Sequence, residues 1–369
     1  MDVMPKWAEV VLVPLISLIL AALISALVIL AIGEDPIAAT KLMVEGAVGS
    51  VRGWGYTLYY ATNFIFTGLA VSVAFHARLF NIGGEGQAML GGLGVAMMLL
   101  FVDWPHWSIG LMAATLGAAA FGAFWALIPA YLQAKRGSHI VITTIMFNFI
   151  ASALLIYAIN EFLKPVGQSD PASARFAASM DLPTLNSMLN AMGIKASKDD
   201  SVNVTFLISL VCAVGVWVLM WRTRLGYEIR AFGNSESAAR YAGINPVKIT
   251  IITMLISGGL AGLMATNTVM GESEKLILNS TEGAGFIGIA VALMGRSHPV
   301  GVVIAAILFG FLYQGGAELA LWTSIPRELI VVIQALVILF TGALDNMVRM
   351  PLERIFLAAK LRKSAGPAE

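Results

Sequence analysis

The chain has 369 residues, 58% of them hydrophobic and 12% charged, with a mean hydropathy of +0.83. Soluble proteins carry about a quarter charged residues, so a soluble domain is excluded and a polytopic membrane protein remains. The formal net charge of +1 offers no basic face for nucleic acid. One cysteine, Cys212, set in an apolar run, and four scattered histidines, His76, His106, His139 and His298, leave neither a disulfide framework nor a metal motif within the chain.

About 20 apolar residues cross a bilayer, and ten segments come near that length: 10–32, 56–75, 84–102, 108–132, 140–160, 204–221, 249–270, 284–295, 300–319 and 328–344. The predicted fold is all-α: one membrane domain, 1–369, of about ten transmembrane helices. The first run is too long for the core of a cleavable signal and reads as a retained span. The third is rich in glycine and the eighth is short. Ten crossings put both termini on one side. With that side cytoplasmic, 15 of the 23 basic residues fall inside, among them Lys135, Arg136, Arg222, Arg224, Arg230 and Arg240, and eight outside, as the positive-inside rule requires. Trp54, Tyr56, Trp104, Trp107 and Trp322 then lie at outer ends and Trp217 and Trp221 at an inner end, as interfacial belts do.

The one long outer loop, 160–203, holds Leu182, Leu185, Met188, Leu189 and Met192 at helical spacing after Pro183, the pattern of a short helix lying on the membrane surface. It is either a docking place for a delivery protein or a plain loop cover. The inner tail, 345–369, repeats the pattern with Leu352, Ile355, Phe356 and Ala359 on one face and Arg354, Lys360, Arg362 and Lys363 near lipid headgroups, a stop-transfer flank.

A polar interruption, 226–246, separates the sixth and seventh segments. Asn234 or Ser235 can cap a helix, Glu236 places an acid in its first turn, and Gly243 with Pro246 stops it. The predicted helix, Ser235 to Ala242, is about 12 Å long. Ala238, Tyr241 and Ala242 share one face, flat apart from a single ring. That face fits a groove on another protein, or the helix merely spaces two spans.

Charged residues are nearly absent from the spans, Glu85 being the main one, which disfavours an ion relay. Neutral groups take their place: Asn63, Thr67, Thr143, Thr144, Asn148, Thr266, Asn267, Gln314 and Gln334. They match a neutral polar solute, or they bond helix to helix. Phe64, Phe66 and Phe147 are candidates for stacking a base, or for packing. Two glycine-rich stretches, Phe80–Gly92 and Glu282–Gly295, permit broken helices beside a transport path in an inverted pseudo-repeat, or close helix packing. No residue-by-residue repeat accompanies them. No lysine follows a glycine anywhere in the chain, so the phosphate-binding loop of a nucleotide hydrolase is missing.

Three stretches, Phe80–Gln87 (FNIGGEGQ), Gly226–Pro246 (GYEIRAFGNSESAARYAGINP) and Gly283–Gly301 (GAGFIGIAVALMGRSHPVG), together resemble the transmembrane permeases of bacterial ABC importers. The superfamily is that handling ribose, branched-chain amino acids and nucleosides, and FNIGGEGQ is closest to the nucleoside branch, of the basic-membrane-protein type. The resemblance implies a multi-pass subunit of the bacterial inner membrane, surrounded by lipid, that is not itself an enzyme and needs no cofactor or metal of its own. ATP and Mg would sit on a partner ATPase subunit. A second, different but homologous permease and a periplasmic or lipoprotein solute-binding protein would complete the importer. Asn234, Glu236, Ala238, Ala239, Arg240, Tyr241, Ala242 and Gly243 would then couple to the ATPase. Asn63, Asn81, Glu85, Gln87, Asn148, Asn267, Phe286 and Gln314 are the candidates for the translocation path. The expected solute is a nucleoside, with simple sugars as the alternative. An ion-coupled secondary transporter is the rival class.

Overall fold

The structure is a computed structural model, and it describes residues 5, 8, 12–191, 202–323, 325, 331–333, 335–336, 339–340, 350–354 and 356–357. The tenth expected segment, 328–344, and the tail, 345–369, fall largely outside the described residues, as does Met192 of the outer loop. The described chain is helical, with two isolated backbone bridges and no strand among the described residues. It divides into two units, residues 47–314 and the two terminal pieces, 1–46 with 315–369.

In the terminal unit, α1 (Val13–Ile32) ends at Gly33, whose left-handed backbone (φ 92°) caps the helix. α2 (Pro36–Val48) leaves it at a bend of 118°, begun by Pro36, which has no N–H to lose at a first helical position. Ile29, Ala39, Leu319, Ile325 and Ile333 form a small buried cluster within this unit.

The main unit begins with α3 (Val51–His76), capped by the Ser50 hydroxyl, which accepts the Gly53 N–H at 3.0 Å. Then come α4 (Gly84–Leu100), α5 (Trp107–Arg136), α6 (Ile140–Ala158, continuing as a π-turn, Ile159–Leu163) and α7 (Leu185–Ala191). α8 (Thr205–Arg222) leads through α9 (Arg224–Asn234) and α10 (Glu236–Tyr241) to α11 (Pro246–Ala265). α11 runs into a second π-turn, Thr266–Glu272, and α12 (Ala284–Met294) and α13 (Pro299–Trp322) follow.

Lipid tails are as apolar as leucine, so helices in a membrane associate through close packing and not through hydrophobic burial. Small residues provide that packing here. α5 and α11 meet backbone to backbone: a Cβ at Gly122 would strike the Gly258 carbonyl, and one at Gly262 would strike that of Ala118. α4 joins the same seam, where a Cβ at Gly91 would lie 2.5 Å from the Gly262 carbonyl oxygen. α3 and α11 are the inner helices, with 83% and 78% of their apolar windows buried, against 28% for α6 and α8, which face outward.

Six described helices are long and apolar enough to cross a membrane, or seven if the bent α1–α2 pair is one span. α4, with 17 residues, and α12, with 11, stop short of that length. Both begin at broken backbone, α4 after the Asn81–Gly83 turn and α12 after Gly283 (φ 78°), so apolar sequence is consumed in the breaks. The interruption after α8 is also more helical than its sequence suggests. Thr223 caps a new helix, accepting the Gly226 N–H at 3.1 Å, and α9 precedes the expected short one. The 160–203 loop is tied down within its described part: Ser173 N–H donates to the Leu276 carbonyl at 2.9 Å, Phe176 N–H to that of Glu274 at 2.8 Å, and Arg175 pairs with the Glu274 carboxylate.

Candidate functional site

Among the described residues of the main unit, four polar centres stand out, three knitted closed and one open. The first surrounds the start of α4. Asn81 donates to the Gln87 side-chain oxygen and to the Ser257 hydroxyl, both at 2.9 Å, and accepts from the Gly83 N–H at 2.9 Å and the Gln87 amide at 3.1 Å. Asn148 of α6 accepts the Gly86 N–H at 2.9 Å and donates to the Ile82 carbonyl at 3.0 Å. Ser257 passes its own proton to the Ala70 carbonyl of α3 at 2.6 Å. Backbone that leaves a helix at membrane depth needs such partners, and these side chains supply them.

The second centre is Glu85, 6% exposed, whose carboxylate caps α12. Oε1 accepts the Thr281 hydroxyl at 2.5 Å and the Gly283 N–H at 3.0 Å, and Oε2 accepts the Gly285 N–H at 2.8 Å. A carboxylate at a helix N-terminus meets unsatisfied N–H groups and the positive end of the dipole. One charge thus clamps two broken helices together.

In the third centre the Asn267 amide lies at the start of the second π-turn. It donates to the Asn63 side-chain oxygen at 2.8 Å and the Tyr59 carbonyl at 3.2 Å, and accepts from Asn203 at 3.0 Å and the Thr205 hydroxyl at 2.7 Å. It fastens α3, α8 and α11 to one another.

The open centre is a cavity of about 30 Å³ between the N-terminal half of α3, the second π-turn, the 277–284 connection and α13. Tyr60, Phe64 and Tyr313 supply rings: Tyr60 and Tyr313 lie 5.4 Å apart at 48°, and Tyr60 stacks on Phe64 at 6.5 Å and 20°. Asn63, Thr268, Ser280 and Thr281 add polar groups, and Glu272 and Glu282 line the cavity too. The Tyr59 hydroxyl donates to Glu272 Oε2.

At the opposite end of α3 stands a two-helix arm. Gly233 of α9 lies so close to α3 that a Cβ would strike the His76 carbonyl. Trp221 packs its ring against His76 at 5.4 Å and His298 at 5.0 Å, with the Arg230 guanidinium 5.9 Å above it. Ser235, and not Asn234, caps α10, accepting the Ala238 N–H at 3.3 Å. Ala239 is buried against the arm, while Ala238, Tyr241 (95% exposed) and Ala242 face outward. Glu236 and Arg240 pair at 2.8 Å, and Gly243 turns the chain back at φ 81°.

The eight path candidates are thus not one surface. Asn81, Gln87 and Asn148 share the first centre, Glu85 forms the second, and Asn63 and Asn267 share the third, with Asn63 also lining the cavity. Phe286 is exposed on α12 and Gln314 is buried on α13. Of the three phenylalanines, Phe64 lines the cavity, Phe66 is buried, and Phe147 packs on Trp125 at 5.2 Å. The sequence reading passed over Tyr60, Thr268, Glu272 and Tyr313. Glu272, at the end of an apolar run, was the only one of them with a signal. Among the described residues no group of three metal-ligating side chains comes together.

Six described helices long and apolar enough to cross a membrane, or seven with the bent pair, mark a multi-pass membrane protein. Residues 53–342 match the permease component of the branched-chain amino acid transport system, and the chain belongs to that family. It is 34% identical to the guanosine ABC transporter permease NupP of Bacillus subtilis, over 92% of this chain and 95% of that one. It is 32% identical to the nucleoside ABC transporter permease NupB of Lactococcus lactis subsp. cremoris, over 96% of this chain and 97% of the other. The glucose ABC transporter permease TsgB13 of Haloferax volcanii is 31% identical, over 96% and 92%. The chain is an ABC transporter permease subunit and not an enzyme.

Proposed function

We propose that this chain forms one half of the translocation path of an ATP-driven importer for a neutral polar solute, a nucleoside before a simple sugar. The observation that carries the reading is that α3 joins the two special ends of the main unit. Tyr59 to Phe64 line the cavity, and His76, roughly 20 Å further along at 1.5 Å per residue, bears the arm. A push on α10 has a rigid, buried helix through which to reach the cavity.

In this reading the ATPase grips the outward face of α10, Ala238, Tyr241 and Ala242, with Asn234, Glu236, Ala239, Arg240 and Gly243 shaping the helix. Closure of the ATPase around ATP and Mg moves the arm, and Gly233 and Trp221 hand the motion to α3 and to the turn before α13. The path itself opens by alternating access against a second, homologous permease, after a solute-binding protein has delivered its load at the loop side. α4, α12 and the 328–344 segment complete ten crossings of the bacterial inner membrane, with both termini and the arm on the cytoplasmic side.

The relatives named for guanosine and for nucleosides support a nucleoside, and the one named for glucose supports the sugar alternative. Guanosine and glucose share a ring bearing several hydroxyls, and the uncharged spans suit both. The test is uptake into proteoliposomes by the chain assembled with its ATPase, second permease and binding protein. ATP-dependent accumulation of guanosine or glucose is expected. Uptake by this chain alone, driven by a proton or sodium gradient, would replace the reading with a secondary transporter.

A further inference from the structure

α1, α5 and α10 are closed by glycines: Gly33, Gly137 and Gly243 turn the chain at φ 92°, 68° and 81°. The Gly283–Gly301 motif ends its helix differently. After α12, Arg296 (φ 52°) and Ser297 (φ 53°) are both left-handed, the one place among the described residues where two neighbours other than glycine share that conformation. A Cβ there crowds the following carbonyl oxygen, so the conformation lasts only where its surroundings hold it. α3 ends on a single such residue, Arg78 (φ 55°). Three of the five left-handed non-glycine residues described thus stand within two residues of His76 or His298, the two imidazoles packed on Trp221. Strain of this kind gathers at parts that switch.

The turn between α12 and α13 is held from three sides. From within, Ser297 N–H donates to the Ala292 carbonyl at 2.8 Å and His298 N–H to that of Gly295 at 3.0 Å. From α3, the Ser72 hydroxyl donates to the Ser297 carbonyl at 2.6 Å. From the arm, Trp221, in the last turn of α8, lays its ring 5.0 Å from His298 and 5.4 Å from His76. The first two holds lie within the helix bundle. The third ends on the segment that carries α9 and α10, so it is the one that a displacement of the arm alters.

We propose that the Gly295–His298 turn is a hinge of the transport cycle and that Trp221 is its positioning residue, keeping the turn left-handed while the arm is docked and releasing it when the ATPase moves the arm. The inference rests on the permease reading above and deepens it, adding a second route to the one through α3. A relaxed turn lets α12 change its angle to α13. The 11 residues of α12 run about 16 Å, at 1.5 Å per residue, from the turn back to Ala284, which lines the cavity. Glu85 ties that far end to α4 through the Gly285 N–H. A change of φ and ψ at two residues therefore reaches both the cavity wall and the start of α4. Hinges absorb motion in a few residues at the ends of elements, and a strained turn has a conformation of lower energy to move to, whereas a turn relaxed by glycine does not.

The experiment is the ratio of solute accumulated to ATP hydrolysed by the assembled transporter in proteoliposomes, with tritiated guanosine, or glucose where the wild type takes that instead, alongside the thermal midpoint of each preparation. Trp221→Ala is expected to lower the ratio about fivefold to tenfold, the worth of an aromatic contact, and Trp221→Phe, which keeps a ring against His298, to restore most of it. Ser297→Gly relieves the strain and keeps the backbone bonds, so it leaves the midpoint at or above wild type and lowers the ratio by a similar factor. Ser297→Ala removes the same hydroxyl but keeps the strain, and its ratio stays at wild type. A residue that only packs would move the midpoint and not the ratio. A wild-type ratio in Trp221→Ala or in Ser297→Gly overturns the inference, as does equal loss in Ser297→Gly and Ser297→Ala. Where Trp221→Ala does not assemble, the two Ser297 variants decide alone. Absence of ATP-driven uptake of either solute by the wild type is failure of the permease reading instead.

Discussion

Glu85 and Glu272 are both carboxylates in a protein that keeps charge out of its spans, and they are treated in opposite ways. Glu85 is buried under three donors, the Thr281 hydroxyl and the Gly283 and Gly285 N–H groups, and does not line the cavity. Glu272 receives one donor, Tyr59, and stands at the mouth of a cavity that holds an unpartnered hydroxyl. A buried carboxylate held by three donors is structure. A half-satisfied one beside a cavity is available for work. The difference cautions against equating intramembrane charge with the path: the acid deepest in the sequence pattern is the clamp, and the one at the end of a run borders the open space.

The largest effect expected from breaking this contrast is at Glu85. Glu85→Ala leaves the Thr281 hydroxyl and two α12 N–H groups buried without an acceptor, at about 1–3 kcal/mol each. Thermal inactivation in detergent, followed by size-exclusion profile, is expected to drop well below wild type, with Glu85→Gln between the two. Next comes the glycine seam: Gly262→Val must push α5 from α11, at about 1–3 kcal/mol or more, read by the same assay. Asn267→Leu follows, removing the acceptor of Asn203 and Thr205, for about 1–3 kcal/mol. Glu272→Gln is expected to leave the thermal midpoint nearly unmoved, within about 0.5 kcal/mol, because Tyr59 keeps an acceptor. A large loss there would erase the distinction between the two acids. Smallest in stability is Ala238→Arg on the exposed face of α10. It is expected to change nothing in the midpoint and to lower uptake per ATP hydrolysed in the assembled transporter. An unchanged ratio would remove the coupling role from that face.

Much of this was legible in residue types. A cap at Asn234 or Ser235 and a stop at Gly243 with Pro246 are local chemistry, acting within a turn of the chain, so α10 could be read without a fold, whereas α9, begun at Thr223, was not. The cavity could not. Its lining comes from α3, a π-turn, a connection and α13, and the π-turn is a change of hydrogen-bond spacing that no residue in Thr266–Glu272 announces. The path candidates illustrate the same limit. Asn81, Gln87 and Asn148 are the polar residues a sequence reading picks out, yet whether an amide faces a solute or a neighbour depends on what lies opposite. Here the neighbours are the Gly83 and Gly86 N–H groups and the Ile82 carbonyl, exposed by a broken helix.

Composition, charge asymmetry and three short motifs by themselves determined that the chain is a multi-pass ABC permease with a capped helix between its sixth and seventh apolar runs. Those properties are set by transfer free energies and by contacts within a few residues. Which polar groups are spent and which are left open was decided only in the tertiary structure, since each donor finds its acceptor about two hundred residues away in sequence, Thr281 at Glu85 and Asn267 at Asn63.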